Sequence, residues 1–182
     1  MTYKEHRLKW KQCTKCDLCH KRNKVIFARG VIPCDVLFIG EAPGSSEDVI
    51  GKPFIGPAGN LLQQIINDAF GTDGPSYAMT NLIGCIPKDR VGAKIEPPPE
   101  SIKACAPKLL EFFEMAKPKL VVFVGRLALK HAAKSLPLKG VLRSDIIHPA
   151  AILRADVSQK GLAIQRTRII LADAVDEMRC SI

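Results

Sequence analysis

The chain has 182 residues, of which 47% are hydrophobic and 25% charged, and its formal net charge is +9 at pH 7. This length suits one domain with a single core, and the hydrophobic content argues against long-range disorder. No apolar run reaches the length of a membrane span, and residues 1–30 lack the apolar stretch of a signal peptide, so we expect a soluble cytoplasmic protein.

The positive charge is concentrated at the start of the chain. Residues 1–30 hold nine lysines and arginines against two acidic residues, Glu5 and Asp17. Such clustering is typical of a surface that binds the phosphate backbone of nucleic acid, although a solvated basic face would have the same composition.

Short β-type runs alternate with helix-type stretches, which favours a mostly parallel sheet with helices on both faces. The predicted strands lie near 35–39, 77–83, 119–124 and 143–147. The predicted helices cover 58–70, about 100–116, 125–134 and 158–178, with Ser158 as the cap of the last one. We therefore predict a three-layer α/β/α fold with a mostly parallel central sheet, in which residues 1–182 form a single domain and segment 1–30 packs on it.

The first predicted strand runs into a long loop, residues 40–59, with five glycines and three prolines. Such a backbone turns tightly and can approach a ligand closely, although an ordinary strand-to-helix connection remains an alternative. Sites in open α/β sheets form beyond the carboxyl ends of the strands, where Glu41, Asn81 and His148 each stand. These three side chains are therefore expected to converge.

Seven cysteines are many for a chain without a secretory signal, because thiols in a reducing compartment more often bind metals than form disulfides. Cys13 and Cys16 have the two-residue gap of a metal-binding pair, and Cys85 and Cys105 flank a polar loop further along. Four sulfurs suit either zinc or an iron-sulfur cluster, and the equal gap to Cys19 makes it a rival to Cys13. Cys34 is expected to be a small buried hydrophobe and Cys180 has no assigned role.

These features together resemble the family 4, iron-sulfur uracil-DNA glycosylases, from about Cys13 to Arg154. The resemblance implies a monofunctional DNA repair enzyme that hydrolyses the N-glycosidic bond of deoxyuridine in single- or double-stranded DNA and leaves an abasic site. It also implies a [4Fe-4S] cluster held by Cys13, Cys16, Cys85 and Cys105. We expect a monomer with no membrane partner.

The resemblance implies roles in base recognition. A flipped base must be stacked on one face and read along its edge, and Phe54 would supply the face while the Asn81 amide would read uracil. Glu47 would exclude the methyl group of thymine, and Ala42 and Gly44 would contact the substrate through the turn after the first strand. The alternatives are a core phenylalanine and a turn asparagine.

Catalysis and DNA binding are assigned in the same way. His148 would donate a hydrogen bond to the negative charge that develops on uracil, and Glu41 would position or activate the attacking water. A capping histidine is the alternative for His148. Ile152 or Leu153 would fill the space left by the flipped nucleotide, and Arg154 would bind a phosphate.

The match departs from the family at two places. Better-known glycosylases carry an aspartate at the position of Ala42, so stabilisation of the leaving group would matter more here. The step from Cys85 to Cys105 is longer than usual, and its exposed loop, residues 87–99, contains Lys88, Arg90 and Lys94 but no histidine that could trap the sugar covalently. We therefore predict turnover. The rivals are a non-catalytic iron-sulfur DNA-binding accessory protein and an electron-transfer protein.

Overall fold

The computed structural model describes residues 1–89 and 91–181. Its centre is a five-stranded sheet made of β1 (Arg29–Gly30), β2 (Val36–Gly40), β3 (Tyr77–Asn81), β4 (Leu120–Val124) and β5 (Leu142–Ile146), in the order β1-β3-β2-β4-β5. All pairings are parallel except that of β1 with β3. Because β2 and β4 are buried along their whole length, both read as continuous apolar runs.

Helices cover both faces of this sheet, as predicted. They are α1 (Tyr3–Trp10), α2 (Ser45–Ile50), α3 (Pro57–Phe70), α4 (Pro99–Ala116), α5 (Arg126–Ser135), α6 (Pro149–Arg154) and α7 (Val157–Cys180), with a 3-10 turn at Asp17–His20. Side chains of α1, α4 and α5 pack with Leu37 and Val121 on one face. Side chains of α3, α6 and α7 pack with Phe38 and Val122 on the other, so the predicted three-layer fold is confirmed.

The prediction was wrong in several details. It missed β1, α1, α2 and α6, and it placed the cap of α7 at Ser158. The structure begins α7 at Val157 after Asp156, so Ser158 is a helical residue. Strand β3 ends at Asn81, two residues earlier than predicted, and the amides of residues 82 and 83 still donate to the carbonyl oxygens of Gly40 and Glu41 at 2.8 and 3.2 Å.

The basic N-terminal segment is attached to the core by buried polar contacts. On α1, the Trp10 indole donates to the Glu111 carboxylate of α4 at 2.6 Å. The Asp48 carboxylate is 1% exposed and accepts from the Asn23 backbone and side chain at 2.9 and 2.8 Å. These contacts hold the segment against α2 and α4. Within the described residues, no helix combines the length and apolar character needed to span a bilayer.

Candidate active site

Three chain segments meet where β2 and β3 end. Gly40 and Asn81 are the last residues of these strands and lie opposite each other in register. A Cβ atom added to Gly40 would overlap with both the Phe54 ring and the Asn81 amide oxygen. Glycine is therefore required here, and the predicted stacking ring and the predicted base reader lie against the same backbone atom.

Asn81 is suited to bind a ligand. It is 6% exposed, and in the described part of the chain its side-chain amide makes no hydrogen bond. Its amide atoms are not among the fully buried polar atoms without a partner in the described residues, so they keep some solvent access and lack the bonds that a turn asparagine would make. The preceding Thr80 hydroxyl, in contrast, is oriented toward the Phe27 carbonyl oxygen at 3.4 Å.

Phe54 has the left-handed backbone that non-glycine residues rarely adopt, with φ of 55°. Such strain costs on the order of 1–3 kcal/mol and concentrates at functional sites. Two contacts hold it in place: the Arg29 guanidinium donates to the Phe54 carbonyl oxygen at 3.0 Å, and Gly59 packs directly under the Phe54 backbone. These contacts therefore hold the backbone that carries the aromatic ring.

Glu47 has a structural task that sequence reasoning did not foresee. Its two carboxylate oxygens accept from the backbone amides of Gly44 at 3.0 Å and Gly56 at 3.2 Å. The carboxylate thus joins the two sides of the loop that carries Phe54. Because the Gly44 amide is already occupied by this bond, the structure favours Ala42 over Gly44 as a backbone contact for a substrate.

His148 follows β5 by two residues and caps the N-terminus of α6, as the structural alternative for it proposed. Its Nδ1 atom accepts from the Ala150 amide at 3.1 Å, which leaves the ring proton on Nε2. Gly125, at the end of β4, makes room for the ring, since a Cβ there would lie 3.0 Å from the His148 Cβ. Burial lowers the pKa of His148, and Lys94 and Arg154 lower it further, so the imidazole is a neutral Nε2–H donor at neutral pH.

Glu41 and His148 line one cleft of about 1390 Å³ at this edge of the sheet. Burial raises the pKa of Glu41, an effect that Lys94 opposes and Glu96 reinforces. A carboxylate with a raised pKa is a better proton acceptor than an ordinary one. The residues that line the cleft are Glu41, Lys94, Ile95, Glu96, Gly125, Arg126, Leu127, Lys130, Asp145, Ile146, Ile147, His148, Ala151 and Arg154.

The two predicted wedge residues, Ile152 and Leu153, lie next to each other in α6 but differ in exposure. Ile152 is fully buried and packs with Leu171 and Val175 in the core between sheet and α7, so its assignment to DNA was wrong. Leu153 is 38% exposed, and Arg154 lies at the cleft. The six-residue helix turns successive side chains in different directions, which a reading of this segment as a loop did not anticipate.

The four predicted cysteine ligands lie in one region. Cys85 and Cys105 are buried, and Cys13 and Cys16 pack against the same core. The Arg22 guanidinium donates to the Cys85 sulfur at 3.4 Å and to the Cys13 carbonyl oxygen at 2.6 Å. In residues 1–89 and 91–181, no group of three His, Cys, Asp or Glu side chains is arranged as a site for a single metal ion.

A buried cation accompanies these thiols. Lys108 is 4% exposed, its ammonium group lies 3.4 Å from the Ile26 carbonyl oxygen and 5.6 Å from the centre of the Phe27 ring, and Gly84 leaves the space it occupies. Burial lowers the pKa of Lys108, whereas nearby Cys105, Cys85 and Cys13 raise it. A buried ammonium requires compensating negative charge, which four metal-bound thiolates would supply. These residues therefore fit an iron-sulfur cluster.

Sequence reasoning missed four residues that support the site: Arg29, Asp48, Lys94 and Lys108. Only Lys108 had a usable signal, because it falls on the same helical face as Cys105, Leu109 and Phe112, and a lysine on an apolar face is unusual. The others act through contacts with distant segments, such as that of Arg29 with the Gln63 amide oxygen at 3.2 Å.

Comparison with known proteins shows what the chain is similar to. The family model of the uracil DNA glycosylase superfamily matches residues 27–168. A solution NMR structure from Methanosarcina acetivorans, a candidate uracil DNA glycosylase, covers 85% of this chain and 98% of its own at a TM-score of 0.56 and 13% identity. At that identity the likeness shows the fold alone.

Several type-4 uracil-DNA glycosylases are similar in sequence. Those of Saccharolobus solfataricus and Sulfurisphaera tokodaii are each 34% identical, over 71% and 65% of this chain, and the chain spans 58% and 52% of their length. That of Pyrobaculum aerophilum is 31% identical over 79% of this chain and 81% of its own. On these matches and on the shared fold, the chain belongs to the type-4 family of the uracil DNA glycosylase superfamily.

Proposed function

We propose that this chain is a monofunctional uracil-DNA glycosylase, which acts as an intracellular monomer on single- or double-stranded DNA. The observation that carries the proposal is the meeting of the Phe54 ring and the Asn81 amide at Gly40, directly before Glu41, which shares a cleft with His148. A base taken out of the DNA stack needs both a ring to stack on and a group that reads its edge.

The Asn81 amide would discriminate between the bases. Its oxygen accepts and its nitrogen donates, so it complements the N3–H and O4 of uracil and mismatches the reversed pattern of cytosine. A buried reader rejects a base that leaves it unpaired, because the lost hydrogen bonds are not replaced by water. The strained, doubly held Phe54 would limit the base to one orientation.

His148 and Glu41 would carry the chemistry. As the bond between C1′ and N1 breaks, its electron pair leaves with uracil, and the Nε2–H of a neutral His148 would donate to the uracil oxygen that gains negative charge. Water would add at C1′ and give up a proton, and the ionised Glu41 would accept that proton. The products are free uracil and an abasic sugar.

Contacts with the DNA backbone would come from the rim of the cleft. Arg154 offers a guanidinium for a phosphate, and Leu153 is the exposed apolar residue able to enter the gap left by the extruded nucleotide. The basic segment 1–30 adds positive charge outside the cleft. Excluding thymine through Glu47 would be indirect, because both of its oxygens are bound to the loop backbone.

Cys13, Cys16, Cys85 and Cys105 would hold a [4Fe-4S] cluster, with Arg22 and Lys108 as the neighbouring cations. When bound, the cluster supplies structural cross-links between segments distant in the chain. Cys16 and Cys13 belong to the basic segment, whereas Cys85 follows the base reader Asn81 by four residues. These four cysteines would thus connect the basic segment to the part of the chain that carries the base pocket.

Release of uracil from a labelled oligonucleotide tests the proposal directly. We expect the protein to produce alkali-sensitive sites at uracil and none at cytosine or thymine. Asn81→Ala should lose at least about 100-fold in single-turnover rate, because the pocket can no longer pair with the base edge. A matched control is Asn67→Ala, which truncates an exposed asparagine of α3. DNA binding without any alkali-induced strand scission would instead identify an accessory protein.

The enzyme is also expected to turn over. The loop between Cys85 and Cys105 contains no histidine, and Arg90 lies outside the described residues. We expect several moles of uracil released per mole of protein and no adduct with DNA after denaturation. A band of protein-linked oligonucleotide on a denaturing gel would show that another nucleophile of the cleft captures the sugar.

A further inference from the structure

Arg22 joins two of the four cysteines that are predicted to hold the cluster. Its Nη1 atom donates to the Cys85 sulfur at 3.4 Å, and its Nη2 atom donates to the Cys13 carbonyl oxygen at 2.6 Å. Within the part of the chain that the structure describes, no other side chain donates a hydrogen bond to a cysteine sulfur. One planar guanidinium therefore connects two ligand segments that are far apart in the sequence.

The residues on either side of this arginine are fixed to the rest of the protein. On one side, the Lys21 ammonium donates to the carbonyl oxygen of Lys88 at 3.2 Å, in a hairpin whose two sides meet at an antiparallel bridge between Lys88 and Lys94. On the other side, Asn23 donates from its backbone and its side chain to the buried Asp48 carboxylate at 2.9 and 2.8 Å. These bonds limit the positions that the guanidinium between them can take.

The charge of Arg22 has a sulfur where a carboxylate would be usual. Among the described residues, no carboxylate forms an ion pair with it. The arginine is half-buried, and Cys85 is 4% exposed. A cation removed from water needs a negative partner, and a neutral thiol is only a weak acceptor, whereas a metal-bound thiolate carries charge. The contact is therefore suited to the ionised form of Cys85, which is the form that binds iron.

We propose that Arg22 is a positioning residue of the iron-sulfur cluster, and that its N–H···S hydrogen bond to Cys85 raises the reduction potential of that cluster. This inference rests on the proposed [4Fe-4S] cluster and not on the glycosylase chemistry. Hydrogen bonds to the sulfurs and the net charge around them are among the factors that set the potential of such clusters. An added electron makes the thiolate-bound cluster more negative, so a cationic donor stabilises the reduced form more than the oxidised form.

Voltammetry of Arg22→Met tests the proposal, because methionine is similar in length but has neither the charge nor an N–H donor. In the measurement one electron passes from the electrode to the cluster, and no covalent bond forms or breaks. We expect the equilibrium constant for reduction to fall about tenfold, which for a one-electron couple is a potential about 59 mV lower. The iron content should stay at about four atoms per chain.

Arg22→Lys separates the hydrogen bond from the charge. Lysine keeps the positive charge but lacks the planar fork that reaches the sulfur and the carbonyl oxygen together. Its potential should therefore lie between those of the parent and Arg22→Met. If Arg22→Met loses its iron, the lysine variant still decides the question, because a potential equal to that of the parent would contradict a role for the hydrogen bond.

Arg7→Met is the matched control, since it removes an arginine from the same basic segment. The Arg7 guanidinium lies 5.7 Å from the centre of the Phe27 ring and, among the described residues, donates to no cysteine. We expect this variant to keep the potential of the parent. Equal shifts in Arg7→Met and Arg22→Met would show a general effect of net charge and overturn the inference. An unchanged potential in Arg22→Met would overturn it too.

The parent protein separates this inference from the glycosylase proposal. If it contains about four iron atoms per chain but releases no uracil, the enzymatic proposal fails, and the potentials of the variants still decide the role of Arg22. If it releases uracil but binds no iron under anaerobic purification, the glycosylase proposal stands, while the cluster and the role of Arg22 are both ruled out.

Discussion

Replacing His148 with asparagine is expected to lower the single-turnover rate of uracil release by about 100- to 1000-fold, the usual cost of losing one donor to a developing oxyanion. In the proposed mechanism uracil leaves as an anion, and the Nε2–H of His148 would be the donor to its developing charge. With Ala42 where better-known relatives carry an aspartate, this stabilisation should account for a large part of the rate enhancement.

Asparagine is the informative substitution because His148 also caps α6. An asparagine side chain is a preferred N-cap, so it can replace the bond to the Ala150 amide while failing to reach as far as Nε2. The thermal unfolding midpoint and the affinity for uracil-containing DNA should therefore stay close to those of the parent. A variant that folds and releases uracil at the parent rate would remove His148 from the mechanism.

Serine substitution of Cys13 is expected to abolish binding of an intact cluster, whereas Cys19→Ser should retain it. The parent should contain about four iron atoms per chain. Cys13 packs against the buried core together with Cys16, while Cys19 lies in the 3-10 turn that follows the pair. The iron content and visible absorption of protein purified without oxygen measure both variants.

The two serine variants separate the metal hypotheses as well as the ligands. A colourless parent protein with one zinc per chain would contradict the iron-sulfur assignment. Loss of iron in Cys19→Ser with full retention in Cys13→Ser would instead exchange the roles of the two cysteines, and the equal gaps on either side of Cys16 make that exchange sterically reasonable. The thermal unfolding midpoint should fall only in the variant that loses iron, because a bound cluster stabilises the folded chain.

The elements that sequence patterns predicted are those whose burial is one-sided or complete. Strands β2 and β4 are apolar throughout, which predicts buried strands. Helix α3 repeats its apolar residues at helical spacing, which predicts a helix with one buried face. The missed helix α1 buries only His6 and Trp10 and is mostly polar elsewhere, and α2 has six residues inside a glycine-rich loop. Such short segments are stabilised by tertiary contacts that local pattern does not record.

The site was predictable to the extent that topology determines it. Glu41, Asn81 and His148 follow strand ends, and parallel strands bring those ends to one edge. Ile152 was misassigned because burial within a short helix depends on its packing against α7. The pairings of Lys94 with the cleft and of Arg29 with Phe54 depend on where a hairpin and an edge strand lie in space. Their residues look like ordinary surface cations in the sequence.

One short segment carries both the proposed base reader and a cysteine of the proposed cluster. Residues 81–87 are buried, and the Ile26 amide donates at 2.7 Å to the carbonyl oxygen of Gly84, the residue directly before Cys85. A chain that never acquires its inorganic core would therefore have a poorly held recognition pocket. We expect cells starved of iron to accumulate C-to-T transitions, so that their mutation spectrum would report on nutrient supply.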